Sequence, residues 1–223
     1  MPIPKIAPYP MPGADEFTAD QVAWTVEPGR SALLIHDMQQ YFLDAYDIYR
    51  DPARTLIANI ARLRDRCHEL DIPVIYTMQP GNQHPSRRGI LADFWGSGMA
   101  EGADTEVINA IAPEPQDIQV TKWRYSAFQR TDLRELLGYY GRDQLLITGV
   151  YTHMGCMLSA AEAFMSDVRP FLVFDATADF SRDEHLMALN YVARRCGAVT
   201  GTEELIQQLG TAPAAEKAQR RTA

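Results

Sequence analysis

Short apolar runs alternate along the chain with longer stretches in which apolar residues recur every three or four positions. The short runs have the length and composition of β-strands, and the longer stretches have the period of amphipathic helices. The predicted strands are residues 31–35 (SALLI), 73–77 (PVIYT), 118–121 (IQVT), 144–148 (QLLIT), 170–174 (PFLVF) and 198–200 (AVT). Strands that alternate with helices favour a parallel sheet with helical crossovers. We therefore predict an α/β fold: a single domain of three α/β/α layers around a six-stranded, mostly parallel sheet.

Three of the helical stretches can be placed from the pattern alone. One helix should begin near Pro52. Residues 155–167 are apolar nearly all round, which predicts a helix buried on most sides, in the core or at a subunit interface. Ser181, with Glu184 three residues on, forms a capping box that opens another helix. The apolar face of the first helix consists of Leu56, Ile57, Ile60, Leu63, Cys67 and Leu70, and that of the last consists of Leu186, Leu189, Ala193 and Cys196.

The remaining segments suggest where the chain is irregular. Residues 80–106 contain five glycines, which is typical of a long loop, and we expect it to cover one edge of the sheet as a lid. The first 13 residues are rich in proline and form an arm. We predict one domain over residues 1–209, including this arm, followed by a flexible tail over residues 210–223.

Composition and charge narrow the class of protein. Hydrophobic residues make up 46% of the 223 positions and charged residues 22%, the balance of a globular protein with a full core, which excludes disorder and fibrous folds. The net charge of -8 repels nucleic acid and anionic membrane surfaces. No apolar run is long enough to span a bilayer, and the N-terminus carries prolines where a signal peptide needs an apolar core. We expect a cytoplasmic protein without nucleic-acid or membrane partners.

Polar side chains follow most of the predicted strands. In a parallel sheet, ligands bind beyond the carboxyl ends of the strands, so these side chains should converge on one edge. A carboxylate and an ammonium group at neighbouring strand ends, Asp37 and Lys122, could transfer a proton and hold an anion, or could form a structural ion pair. The residues that follow the first five strands are His36 and Asp37; Gln79; Lys122, Trp123, Arg124 and Tyr125; Tyr151, Thr152 and His153; and Asp175.

Metal and nucleotide sites are not indicated. The His36–Asp37 pair has no second His or carboxylate at a ligand spacing, and the glycines near residue 100 neither follow a strand nor open a helix, so no metal or cofactor is expected. We expect His68 and His84 to be exposed and His185 to lie on the first turn of its helix. The three cysteines, Cys67, Cys156 and Cys196, are an odd number and widely spaced, which favours reduced thiols.

Cys156 has two interpretations. It follows the fourth strand where a helix begins, and a thiol there could be a nucleophile. It could equally be a small buried hydrophobic residue.

Six segments, taken in order, resemble one family. LLIHDMQQYF, YTMQPG, LADFWGSGM, TKWRYSAF, RDQLLITGVYTHMGCM and DATADFSRDEHLMALNYVARRCG are similar to segments of the isochorismatases of siderophore and phenazine pathways, over residues 2–209. Cysteine amidases such as nicotinamidase, from the same wider group of hydrolases, resemble the chain less closely. They share an Asp, a Lys and the Gly-Val that begins the turn after the fourth strand.

The position of the nucleophile separates these two groups. In the amidase pattern the nucleophilic Cys is the seventh residue counted from that Gly, which is Gly149 here, and the seventh residue is Gly155. Cys156 comes one place later, which on a helix is a rotation of about 100°. We therefore interpret Gly155 as a vacated nucleophile position, where the neighbouring N–H groups at a helix start could receive a carboxylate.

The resemblance implies hydrolysis of the vinyl ether of isochorismate, a dicarboxylate, without metal, cofactor or covalent intermediate. It implies that Asp37 donates the proton beside Lys122, and that Gln79, Arg88 and Tyr151 orient the substrate. Phe42, Trp95 and Tyr125 would form an aromatic wall. The 2-amino analogue of isochorismate is an equally good candidate substrate, because a single side chain could distinguish a hydroxyl from an amine.

Two other functions stay open at this point. The first is a thiol amidase that uses Cys156. The second is a non-catalytic module that docks carrier proteins or enzymes of a biosynthetic assembly line, for which the acidic surface and the apolar helix after Gly155 would be suited. The same helix and the proline-rich arm predict a homodimer. Some siderophore relatives carry an aryl carrier domain after this one, for which the residues from 210 onwards are too few.

Overall fold

The centre of the fold is a sheet of six strands in which every neighbouring pair is parallel. A computed structural model of the chain describes residues 3–210; the predicted tail, apart from Gly210, lies outside the described residues. The strands are β1 (Ser31–His36), β2 (Val74–Met78), β3 (Ile118–Thr121), β4 (Gln144–Val150), β5 (Arg169–Ala178) and β6 (Ala198–Thr200). Their order is β3-β2-β1-β4-β5-β6. The chain thus starts at the centre, moves outwards, and returns to place β4 beside β1, which makes a topological switch point between these two strands.

Eight α-helices surround the sheet in the described residues. They are α1 (Gln40–Leu43), α2 (Ala53–Glu69), α3 (Pro85–Arg88), α4 (Leu91–Trp95), α5 (Leu133–Tyr139), α6 (Met157–Phe164), α7 (Arg182–Arg195) and α8 (Thr202–Leu209). One turn of π-helix, Thr152–Cys156, precedes α6, and 3₁₀ turns occupy Pro28–Arg30, Ala103–Thr105 and Asn109–Ile111. No helix within residues 3–210 is long and apolar enough to cross a membrane.

The sheet separates two apolar cores, because successive side chains of a strand point to opposite faces. On one face, Leu33 and Ile35 of β1 pack in a cluster with α2 and α8. On the other face, Leu34 packs in a second cluster with α5, α6 and α7. All residues of β1 and β4 are buried, as expected for central strands covered on both sides. The predicted three-layer α/β/α architecture is confirmed.

Gly149 is required by the close approach of β4 to β1. Its φ is +106°, and a Cβ atom at this position would lie 2.1 Å from the backbone oxygen of His36. Any other residue would therefore separate the two strands. The pairing of β4 with β5 also shifts register between Ile147 and Gly149, so β5 continues past the point at which its regular pairing breaks.

Five predicted strands agree with the structure to within two residues at each end, whereas β5 does not. Residues 170–174 were expected to form the strand, but β5 runs on to Ala178. Asp175 therefore lies within a strand and not at its end. Its carboxylate accepts hydrogen bonds from the backbone N–H and the hydroxyl of Thr202, at 2.8 and 2.7 Å, and so caps the start of α8.

Two predictions about the helices need correction. Residues 80–106 are not an irregular loop throughout, since they contain α3 and α4. The helix expected over residues 155–167 is shorter, and it is not buried on most sides: Ala160 and Ala163 face the core, while Leu158 and Phe164 are exposed. The capping box is confirmed, because the hydroxyl of Ser181 accepts a hydrogen bond from the backbone N–H of Glu184 at the start of α7.

The proline-rich arm packs against the domain. The backbone N–H groups of Ile6 and Tyr9 donate to the carbonyl oxygens of Ala45 and Asp51, at 2.8 and 3.1 Å, and both side chains are buried. Polyproline-like chain has no internal hydrogen bonds, so these contacts with the rest of the domain fix its course.

Candidate active site

A cavity opens at the carboxyl edge of the sheet, where the switch point between β1 and β4 predicts a ligand site. The space between its walls is about 610 Å³, open solvent at the mouth included. Asp37, Gln79, Lys122 and Tyr151 line it, and each is the first residue after β1, β2, β3 or β4. The convergence of these strand-end groups is thus a direct result of the parallel sheet. The other predicted site residues that line the cavity are Phe42, Arg88, Trp95, Tyr125 and Gly155.

The carboxylate of Asp37 is held by three donors. The hydroxyl of Thr77 donates to Oδ1 at 2.8 Å, while Nε2 of Gln79 and Nζ of Lys122 donate to Oδ2 at 3.0 and 2.7 Å. The backbone of Asp37 is in the left-handed region, with φ of +50°. A non-glycine residue is uncommon there, and such conformations cluster at functional sites.

The electrostatics of this group favour its charged form. Burial alone would raise the pKa of Asp37, but the charges of Lys122 and His36 and the hydrogen bonds from Lys122 and Gln79 outweigh it and lower the pKa below its ordinary value. The side chains of Asp37 and Lys122 are only 4% and 1% exposed. In the free protein the site therefore contains a buried ion pair in which the charged form of Asp37 is favoured.

Arg88, the last residue of α3, brings a second buried cation to the cavity. Its Nε donates to the carbonyl oxygen of Gly96 at 3.0 Å, and Nη1 lies 3.4 Å from Oε1 of Gln79. No carboxylate of residues 3–210 forms a salt bridge with it. A buried guanidinium without an acidic partner is costly, so this group is suited to an anionic ligand.

Aromatic rings enclose the rest of the space. Trp95, at the end of α4, donates from Nε1 to the hydroxyl of Tyr125 at 2.7 Å. Tyr151 packs edge-on against Phe42, and its hydroxyl donates to the backbone oxygen of Phe42 at 3.0 Å. Phe180 contacts Tyr151 with 4.3 Å between the ring centroids. The helical segment α3–α4 thus supplies one part of the wall and the chain after β4 and β5 supplies another, and the two meet where Trp95 packs against Phe180 with 6.0 Å between the ring centroids.

Gly155 lines the cavity and Cys156 does not. The thiol of Cys156 is fully buried, 3.9 Å from the backbone oxygen of Thr148, and burial raises its pKa well above the ordinary value. A buried neutral thiol is a poor nucleophile. Of the two interpretations of Cys156, the structure therefore favours the small buried hydrophobic residue.

The N–H groups on either side of Gly155 are already engaged. Those of Met154 and Cys156 both donate to the carbonyl oxygen of Tyr151, at 3.2 and 3.3 Å. The expectation that these two groups would receive a carboxylate is therefore wrong, since a π-helical turn uses them internally. Arg88 and Lys122 are buried cations available for that purpose, and Arg124 lines the cavity as well.

The strand-end rule, by which the residues that follow parallel strands are expected at the ligand site, also named residues that do not line the cavity. Trp123 faces away beneath Arg87. His153 pairs with Asp179, its Nδ1 lying 2.6 Å from Oδ1 of that carboxylate. Asp179, and not Asp175, is the first residue after β5. Asp179 was not predicted as a strand-end residue because the strand was predicted to end at residue 174.

Other residues of the cavity lining were not predicted as site residues. Ile3 comes from the arm, and nothing in its sequence neighbourhood connects it with the strand ends. Phe180 directly follows Asp179, the first residue after β5, so a wider window around that strand end would have included it, whereas Tyr41 lies in α1 beside the predicted site residue Phe42. The full set is Ile3, Tyr41, Leu91, Gly98, Met99, Val150, Met154 and Phe180, together with His36 and Arg124, which were named as residues that follow predicted strands.

The histidines outside the cavity agree only in part with expectation. His84 is exposed, as predicted, and His185 lies on the first turn of α7. His68 is half-buried and not exposed, because its Nε2 lies 2.7 Å from Oδ1 of Asp117. Within residues 3–210, no three His, Cys, Asp or Glu side chains gather as a metal site.

A buried Asp–Lys pair and an aromatic cavity at the switch point of a doubly wound sheet define an α/β enzyme. The family model of the isochorismatase domain matches residues 31–204. The chain therefore belongs to the isochorismatase family and is a hydrolase.

Three known proteins illustrate how close the similarity is. An isochorismatase of Bacillus subtilis (strain 168) is 50% identical over 215 residues, which cover 96% of this chain and 69% of that protein. The phenazine biosynthesis protein PhzD of Pseudomonas fluorescens is 46% identical over 206 residues, which cover 92% of this chain and 98% of that protein. A crystal structure of a cysteine hydrolase from Pseudomonas syringae pv. phaseolicola has a TM-score of 0.77 at 25% identity, covering 84% of this chain and 96% of that one.

Proposed function

We propose that the protein hydrolyses the vinyl ether of isochorismate, or of its 2-amino analogue, with Asp37 as the general acid. The products are pyruvate and a 2,3-dihydro-2,3-dihydroxybenzoate-type ring. The observation that carries the proposal is the chemistry of the cavity lining. Among the described residues that line it, Asp37 supplies the one carboxyl group, and there is no cysteine, serine or threonine. The similarity to a protein named isochorismatase supports the same substrate class.

The reaction needs one proton donor and one water molecule. Asp37 protonates the terminal methylene carbon of the enol ether, and the resulting oxocarbenium ion is attacked by water. Water loses a proton as it adds, and the oxygen of the ring substituent is protonated as the hemiketal collapses. The carbon–oxygen bond then breaks to give pyruvate and the ring alcohol, so one water molecule is consumed and the proton of Asp37 is returned.

The two buried cations of the cavity, Arg88 and Lys122, suit a dicarboxylate, and Arg124 lines the cavity as a third cation. Arg88 can contact one carboxylate through a bidentate pair of N–H groups, since no acidic side chain competes for it. Lys122 lies where it can contact both Asp37 and a ligand. Gln79 bridges the two regions, because its amide contacts Asp37 on one side and Arg88 on the other.

The protonation of Asp37 must change when substrate binds. In the free site its pKa is lowered, whereas a general acid must hold its proton near neutrality. A substrate carboxylate next to Lys122 compensates that charge and excludes water. Both effects raise the pKa of Asp37, so the acid form arises in the complex.

The other hypotheses have less support. A thiol amidase would need Cys156 to reach the cavity, and its buried thiol does not. The docking module would have no use for the buried Asp37–Lys122 pair. Homodimer formation, contacts with carrier proteins and a cytoplasmic location stay predictions from the sequence.

Purified protein should be incubated with isochorismate and, separately, with the 2-amino analogue, while pyruvate is followed with a coupled dehydrogenase. We expect pyruvate from at least one substrate. Asp37→Asn should lower kcat by roughly 100- to 10,000-fold, the usual contribution of a general acid. Asp175→Asn is the matched control, because this carboxylate caps α8 outside the cavity. Full activity of Asp37→Asn, or no pyruvate from either substrate, would disprove the proposal.

A further inference from the structure

The space above Gly155 is filled by the imidazole ring of His36. A Cβ atom built on Gly155 would lie 2.0 Å from Cε1 of His36 and 2.6 Å from its Nε2. Real Cβ atoms essentially never approach other heavy atoms closer than 3.0 Å. Any side chain at position 155 thus requires the ring of His36 to move.

The ring of His36 is held on several sides. It is buried, with Nδ1 2.8 Å from the carbonyl oxygen of Val150 and Nε2 3.2 Å from that of Tyr125. Behind it, the backbone of Gly149 packs directly on the backbone of His36. These contacts come from the ends of β4 and β1 and from the segment after β3, so a displaced ring would lose contacts with all three.

Both ring nitrogens face backbone carbonyl oxygens, and the nearer carboxylate oxygen of Asp37 is 3.8 Å from Nδ1. Both ring nitrogens are thus directed at the backbone and not at a ligand in the cavity. The geometry gives His36 a steric role and not that of a general base.

We propose that His36 determines which class of reaction this site performs. Its ring occupies the volume that a nucleophilic side chain at position 155 would need, directly beside Asp37 and facing the cavity. The chain therefore cannot place a thiol or hydroxyl on that side of the cavity, and the site is limited to the acid chemistry of Asp37. This inference rests on the proposed function for the identity of that chemistry, but the steric claim stands on the contact between His36 and Gly155.

The first test compares Gly155→Ala with the double variant His36→Ala/Gly155→Ala, using His36→Ala alone as the reference. The added methyl group should lower the thermal unfolding midpoint of Gly155→Ala. Relative to His36→Ala, the same methyl group in the double variant should lower the midpoint by at most half as much. A methyl group that costs as much in the His36→Ala background as in the wild-type background would overturn the proposal, because something other than the ring would then exclude the side chain.

The second test asks whether the freed space accepts a reactive group. Gly155→Cys and His36→Ala/Gly155→Cys are treated with iodoacetamide, whose iodide is displaced by a thiolate sulfur, and the modified residue is located by peptide mass spectrometry. We expect alkylation at position 155 at least ten-fold faster in the double variant than in the single one. A single variant that does not fold, beside a double variant that does, supports the proposal equally. Equal alkylation rates would overturn it.

The buried Cys156 is an internal control in both proteins, since it should stay unmodified. A purely structural role of His36 would alter stability without making position 155 reactive, so alkylation separates the two roles. Neither test depends on turnover. If wild-type protein released no pyruvate, the proposed function would fail while the steric claim would still be decided by these variants.

Discussion

Asp37 combines two features that are costly on their own, a left-handed backbone and a buried charge. The cost is offset locally, because Thr77, Gln79 and Lys122 all donate hydrogen bonds to the carboxylate. Each of these bonds stabilises the charged form. The site therefore keeps the side chain of Asp37 in its carboxylate form until a ligand competes with Asp37 for Lys122.

Binding of a dicarboxylate should be accompanied by proton uptake. The lowered pKa leaves Asp37 ionised in the free protein at pH 7.5, and binding must raise that pKa above the pH for Asp37 to act as an acid. We expect up to one proton taken up per site, measured by titration calorimetry in buffers of different ionisation enthalpy with a saturated-ether analogue that cannot react. Asp37→Asn should show no uptake. Heats that do not depend on the buffer in the wild-type protein would contradict the linked protonation.

Cys156→Ala should keep most of the pyruvate release. Its thiol is fully buried away from the cavity, so only a small packing loss of about 1 kcal/mol is expected. Activity and thermal stability are measured together, so that a loss of folded protein is not taken for a loss of chemistry. A fall in kcat of more than ten-fold in folded Cys156→Ala would favour the thiol amidase instead.

Elements that follow a strict pattern were predictable, and those fixed by long-range contacts were not. The ends of β1 to β4 follow from apolar runs that stop at polar residues, and the parallel sheet brings Asp37, Gln79 and Lys122 together. The end of β5 could not be predicted from the point at which its apolar run stops. Asp175 and Thr177 look like the end of a strand, but the register shift against β4 lets the strand continue, and Asp175 turns to cap α8.

The first turn of α7 contains a buried histidine that should make the fold sensitive to acid. His185 contacts the hydroxyls of Tyr9 and Thr177, and burial lowers its pKa from 6.5 to about 3. Because the folded-state pKa lies below the unfolded one, its contribution to stability is fully present above pH 6.5. That contribution is lost as the pH falls towards 3, by about 1.4 kcal/mol per pH unit.

His185→Gln should therefore flatten the dependence of the unfolding free energy on pH between about 6 and 4. Denaturant unfolding at a series of pH values measures this slope. The exposed His84 gives a matched control, His84→Gln. Parallel slopes for His185→Gln and wild-type protein would show that the buried imidazole does not govern acid unfolding.

The cavity is assembled from the whole length of the described chain, from Ile3 in the arm to Phe180 after β5. Its cations, Arg88, Lys122 and Arg124, line the cavity of a protein whose net charge is -8. The strand-end rule could predict the polar floor of this cavity from local sequence. It could not predict the covering residues, because the contact of Ile3 with the site depends on the path that Ile6 and Tyr9 fix over the domain.

Ile3→Ser should weaken substrate binding without removing the chemistry. The loss of one apolar contact in the lining is expected to cost about 1 kcal/mol, or roughly a five-fold rise in KM, with kcat little changed. Steady-state kinetics of pyruvate release measure both values. Ile48→Ser is the control, since Ile48 is exposed and does not line the cavity. An equal KM for the two variants would argue against a role of the arm in binding.

The position of Ile3 in the cavity wall has a practical consequence for anyone who prepares this protein. An affinity tag fused to the amino terminus begins within two residues of a side chain that lines the site. Such a tag is expected to obstruct entry or to pull the arm from its place, whereas no residue after Phe180 in the described part of the chain lines the cavity. Kinetic work should therefore use carboxyl-terminal fusions, or proteins from which the leading tag has been cleaved.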